Sequence, residues 1–213
     1  MNIKDKQYIE KTSKYVKKDI SNELITLHDM TNNAVECLSL LENSFIYQKS
    51  KLLQECDKTA GIIKREITQL TKEIVENANF NPELKPYVSI PDHLLKIVEN
   101  IEKLYELIDK KNSESILFSD KAVSESLFLL QRLMEMLTPI ADIILARNTI
   151  LSMYVRESQV DVEKMATEYA TMHEERLIAG VCVTKSASIY VNMLEAIKNI
   201  AWHSREIAVK LAG

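Results

Sequence analysis

Turn-forming residues are nearly missing from this chain of 213 residues, which has 3 Gly and 4 Pro. Gly and Pro are the strongest local punctuators of structure, so their scarcity excludes a fold of many short strands and leaves a few long elements, expected to be helices. Three scattered glycines also exclude a Gly-rich loop for phosphate. The 3 cysteines, Cys37, Cys56 and Cys182, contain no CxxC pair; free thiols in a reducing compartment are expected. No run of 18 apolar residues occurs, so nothing is expected to span a membrane. The first residues lack the apolar centre of a signal peptide. A net charge of -4 gives no reason to expect a nucleic-acid partner. The expected location is the cytoplasm.

What is present is an ordinary soluble composition, 46% hydrophobic and 27% charged. A chain of this size buries about 70% of the surface its unfolded form exposes, and so needs no disulfide or metal to fold. One string occurs twice, about 100 residues apart. Leu95-Lys-Ile-Val-Glu-Asn-Ile-Glu-Lys-Leu-Tyr-Glu-Leu-Ile108 aligns without a gap with Leu194-Glu-Ala-Ile-Lys-Asn-Ile-Ala-Trp-His-Ser-Arg-Glu-Ile207. A duplication at that spacing makes each half one copy of the same helical unit.

The apolar spacing then places six helices. Leu24, Leu27, Met30, Ala34, Cys37, Leu38 and Leu41 keep helical periodicity in the first. A second runs over about 51–78 through Ile62, Ile63, Ile67, Leu70 and Ile74. The string Asn79-Phe-Asn-Pro-Glu-Leu-Lys-Pro86 breaks the pattern. Ser89 as cap, Pro91 in the first turn and Asp92 at the positive end of the dipole start the third. The fourth covers about 116–147 with a kink expected at Pro139. The fifth covers about 149–179 and stops at Gly180, a good residue for the left-handed position after a helix. Thr184 is the expected cap of the sixth, over about 185–211. Short connections make neighbours antiparallel. The chain divides into a Lys-rich segment at 1–20, a solvated helix start or a stretch near an anionic membrane surface, and two three-helix repeats at 21–112 and 113–213.

Three strings in this order, Leu27–Leu38, Lys64–Ile67 and Glu174–Thr184, resemble the PhoU family. Leu27-His-Asp-Met-Thr-Asn-Asn-Ala-Val-Glu-Cys-Leu38 is similar to that family's opening helix, and Lys64-Arg-Glu-Ile67 to its second. Glu174-Glu-Arg-Leu-Ile-Ala-Gly180 with Cys182-Val-Thr184 resembles its fifth-to-sixth helix junction, in the form most typical of the cytoplasmic domains of sodium/phosphate cotransporters. The resemblance covers roughly residues 20 to 212. It implies an all-α fold of two tandem antiparallel three-helix bundles and a non-enzymatic regulatory or adaptor role in phosphate transport or signalling. Its partners would be phosphate transporter or sensor kinase components. A homodimer is expected, with peripheral proximity to the membrane through a transporter.

The family's metal motif, an acid followed four residues later by Asp, suits a hard cation because residues i and i+4 share a helix face. Carried onto this chain it falls on Asp57 and Gly61, Glu99 and Lys103, Glu157 and Asp161, and Lys198 and Trp202. Only Glu157 and Asp161 retain both acids, and Lys198 is expected to face them in a salt bridge. No cofactor is expected. The metal candidates that remain are Glu157, Asp161, Asp57 and Glu99, and the alternatives kept open are a regulator with one carboxylate site or a cotransporter domain. Trp202 lies off the apolar stripe of the last helix. Its ring either covers neighbouring side chains or anchors a partner.

Other chemistry finds no support. None of His28, His93, His173 and His203 has Glu three residues before it, as a di-iron bundle requires. His93 with Lys96 matches a phosphotransfer helix only in part and reads as an exposed helix-start residue. Met134, Met136, Met153, Met165 and Met172 fall at helical spacing, as core residues do. No catalytic residues are assigned.

Overall fold

The computed structural model describes residues 21–180 and 184–212. The Lys-rich segment at 1–20, Cys182 and the capping side chain of Thr184 lie outside the described residues. Among the described residues there are six α-helices and no strand: α1 (Asn22–Tyr47), α2 (Ser50–Ala78), α3 (Ile90–Ser113), α4 (Asp120–Ala146), α5 (Thr149–Ile178) and α6 (Thr184–Leu211). A short 3-10 helix, Pro82–Tyr87, fills the break between α2 and α3. Helices α1, α2 and α3 pack mutually, as do α4, α5 and α6. The two triplets join through α1 against α4 and α3 against α6. One apolar cluster runs through both, from Leu27 and Ile63 to Ile144 and Ile200.

The duplication is visible in detail. The buried pairs Val98 and Ile197, Ile101 and Ile200, and Ile108 and Ile207 are the aligned apolar positions of the repeat. The α1–α2 and α4–α5 turns are also copies of one another. Gln48 (φ 53) and Arg147 (φ 48) both take the left-handed conformation after their helices. Their backbone N–H groups donate to Ser44 O at 2.9 Å and Ile143 O at 2.8 Å. A left-handed residue satisfies the orphan carbonyls of a helix end, a role usually given to Gly. Gly180 takes it after α5, with φ +71.

Two starts differ from expectation. Ser89 makes no capping hydrogen bond, because the 3-10 helix feeds α3 directly and leaves Ser89 in a helical conformation (φ -97, ψ -3). Helix α4 begins at Asp120 rather than 116, where the Ser119 hydroxyl accepts from Ala122 N at 3.3 Å. Helix α4 runs unbroken through Pro139 to Ala146. Asn148 caps α5 by accepting from Ile150 N at 2.9 Å and Leu151 N at 3.2 Å.

Candidate functional site

The expected carboxylate positions do not gather into a cation site. On the α2–α3 face, Asp57 is exposed and Gly61 carries no ligand. Lys64 Nζ donates to Glu102 Oε2 across the two helices at 2.7 Å. That bond raises the Lys64 ammonium above its ordinary range, with Glu99 and Asp57 adding to the effect. The negative charge of this face is therefore already answered by a lysine. Glu99 accepts from Lys96 at 2.9 Å, and Lys103 donates instead to Asn100 Oδ1 at 3.4 Å.

The second-half positions separate. Glu157 lines a shallow groove of about 320 Å³ between α5 and α6 with Met153, Arg156, Val160 and Arg205. Asp161 lines another between α4 and α5, with Arg132, Glu135 and Lys164 among its walls. The expected pairing of Lys198 with Glu157 and Asp161 is not formed: Lys198 Nζ binds Glu195 on its own helix at 2.8 Å. A partner three residues away restrains the long side chain at lower entropic cost than one on the next helix. Among the described residues no three His, Cys, Asp or Glu side chains converge. The residues at the family's motif positions do not fit a carboxylate-bound cation.

Trp202 covers neighbouring side chains, the first of its two readings. Its ring meets His203 edge-on at 4.7 Å and His93 of α3 at 6.1 Å. It is still 46% exposed. His93, read from sequence as an exposed helix-start residue, is instead half-buried and hydrogen-bonded, Nδ1 to Nδ1 at 3.1 Å, with His203. Met136 is fully buried, whereas Met153 is 57% exposed.

One polar group escaped the reading by spacing. Glu125 of α4 is 2% exposed. It accepts from Arg176 of α5 in a fork, at 3.2 Å and 2.8 Å, and from the Tyr190 hydroxyl of α6 at 2.5 Å. Burial and this carboxylate push the Tyr190 phenol well above its ordinary range. His173 packs against Tyr190, ring centroids 4.6 Å apart and tilted by 42°. Among the described residues, neither of its ring nitrogens meets a hydrogen-bond partner. Burial, and then Arg176, hold the imidazole below its usual range. The group ties α4, α5 and α6 together. A buried carboxylate already filled by a bidentate guanidinium and a phenol is a structural clamp rather than an open acid.

No protein-family model matches the sequence, and no curated protein matches it. A crystal structure of PhoU from Pseudomonas aeruginosa superposes with a TM-score of 0.80 over 93% of this chain and 96% of that one, at 14% sequence identity. The chain has the PhoU fold. An overlap spanning nearly all of both chains covers both triplets, not one bundle that any helical protein could share.

Proposed function

We propose that the chain is a non-enzymatic regulator of the PhoU type, an adaptor in phosphate transport or phosphate signalling that works through protein contacts. The observation that carries this reading is the PhoU fold over 93% of the chain. The arrangement of side chains supports contact rather than chemistry. The most buried carboxylate is consumed by the clamp, and the grooves are shallow and edged by ion-paired residues. The outer faces, by contrast, carry large apolar side chains. Ile150, Met153 and Val160 of α5 are 75%, 57% and 60% exposed, and Trp202 and Val209 of α6 are 46% and 38% exposed. Exposed apolar surface of this kind marks places where a partner can dock, and Trp is the residue type most enriched among interface anchors.

Phosphate transporter or sensor kinase components are the proposed partners, and a homodimer the proposed resting state. Among the described residues no helix is long and apolar enough to cross a membrane, so contact with a transporter would come from the surface of the bundle. The test is phosphate uptake in the native host with the gene deleted and restored. Uptake that no longer falls when external phosphate is plentiful, and is corrected by the intact chain, is the expected result. Uptake indifferent to the deletion under both phosphate-rich and phosphate-poor growth would refute the role.

A further inference from the structure

His93, in the first turn of α3, meets His203, near the end of α6, where the two halves of the fold join. Their Nδ1 atoms face each other at 3.1 Å and their rings stand 5.4 Å apart, tilted by 51°. We propose that this pair is a two-imidazole site for a divalent transition metal that favours nitrogen ligands, such as Zn, Ni or Cu.

The spacing suits such an ion. A metal about 2.05 Å from each nitrogen would see two atoms 3.1 Å apart at an angle of about 98°. That lies between the roughly 90° of square-planar or octahedral neighbours and the roughly 109° of a tetrahedron. The hydrogen bond requires one ring to carry its proton on Nδ1. On metal binding that proton moves to Nε2 through solvent, so both Nδ1 lone pairs become ligands with no net proton release from two neutral rings. Burial holds both imidazoles below their ordinary range, and each feels further cations, Lys210 at His93 and His93 and Lys96 at His203. The neutral form that results is the one a metal needs. Asp92 and Glu206 act on both rings in the opposite sense, and supply negative charge for a bound dication. Glu206 is engaged by Arg205. Among the described residues no third His, Cys or carboxylate completes a cluster, so water fills the remaining positions and the site is open.

The duplication singles out this pair. The residues in register with His93 and His203 are Asn192 and Leu104, so the ligand pair exists once, and it is absent from the copied half. The pair is independent of the family's carboxylate positions.

Trp202, the only tryptophan, lies 4.7 Å from His203 and reports occupancy directly. The full chain, freed of any polyhistidine tag and stripped with a chelator, is titrated with Ni(II) while Trp202 fluorescence is read. Zn(II) is then added by calorimetry in a separate series. Saturable quenching at one equivalent, reversed by chelator and blocked by Zn(II), is expected. The variants His93→Asn and His203→Leu, which install the residues of the other copy, should each weaken both signals at least as much as loss of a second-shell partner does, about 10–100-fold. His28→Asn, which alters a histidine bonded to Asp29 elsewhere, should leave them unchanged. Circular dichroism confirms folding; were His203→Leu to unfold, His93→Asn on the other helix decides. No quenching and no heat at stoichiometric metal would overturn the site, as would binding that the two variants leave intact.

Discussion

Truncating Glu125 to Ala should be among the most damaging single changes in the described part of this protein. The Glu125 residue is 2% exposed, the Arg176 side chain it binds is 19% exposed, and Tyr190 is 1% exposed. Removing it strips Arg176 of its bidentate partner and leaves the Tyr190 hydroxyl without its acceptor. Breaking a buried pair from one side costs about 3–5 kcal/mol, because the partner's desolvation is no longer compensated. For a domain of this size that corresponds to a fall in Tm of roughly 6–20 °C. The same reasoning demands that removing both charges be milder than removing one. Glu125→Leu with Arg176→Met should cost less than Glu125→Ala alone, since a well-packed apolar pair can match a buried salt bridge. Thermal and urea melts followed by far-ultraviolet circular dichroism, arranged as a double-mutant cycle, measure this. A Glu125→Ala cost below about 1 kcal/mol, or a double variant as costly as the sum of the singles, would refute the clamp.

Three further outcomes follow from the geometry. Gly61 sits inside α2, and a Cβ there would meet only Arg65 Nη1 at 3.8 Å, so Gly61→Ala should stabilise by about 0.5–1 kcal/mol, read as a higher urea midpoint at unchanged slope. His93, His173 and His203 are all held below their ordinary value of 6.5 in the folded state. The unfolded chain therefore binds more protons than the native one as pH drops below about 6.5, and stability should fall with acidification there and level off above it. His173→Phe removes one of these groups along with its unpartnered nitrogens; it should be neutral or slightly stabilising at pH 7 and lessen the acid loss, and a variant more acid-sensitive than the parent would contradict the assignment. Trp202→Ala should leave the helix content intact while weakening partner capture or self-association, and unchanged association by both measures would remove Trp202 as an anchor.

The six helices were legible because so few residues interrupt the apolar stripes, and Gly180 marked the end of α5 through a conformation that glycine adopts without strain. The α1–α2 and α4–α5 turns were not legible in the same way. Gln48 and Arg147 occupy the left-handed position without the usual turn residue, held by their N–H bonds to Ser44 O and Ile143 O. Ser89 had the identity of a cap but not the geometry, since a 3-10 helix arrived where an extended residue was expected. The clamp has a faint trace in sequence: Glu125 falls on the apolar stripe of Ala122, Ser126, Leu129 and Leu133, and a carboxylate there needs a partner. Nothing in the spacing names Arg176 or Tyr190, which approach from other helices. The His93–His203 pair is equally tertiary, since its members stand 110 residues apart. The motif positions Asp57, Gly61, Glu99, Lys103, Glu157, Asp161, Lys198 and Trp202 came from the family resemblance, but their actual partners, Lys96 for Glu99 and Glu195 for Lys198, depend on rotamers chosen within single helices.

The proposed role of this PhoU-fold scaffold is to act through its surface on the phosphate machinery. Its most direct test is capture of the intact chain, cross-linked in its native host under phosphate-rich growth, followed by identification of what is bound. Enrichment of phosphate transporter or sensor kinase components, reduced when Trp202 is replaced by Ala, is the expected result. Reproducible recovery of unrelated partners, with none of those components present, would contradict it.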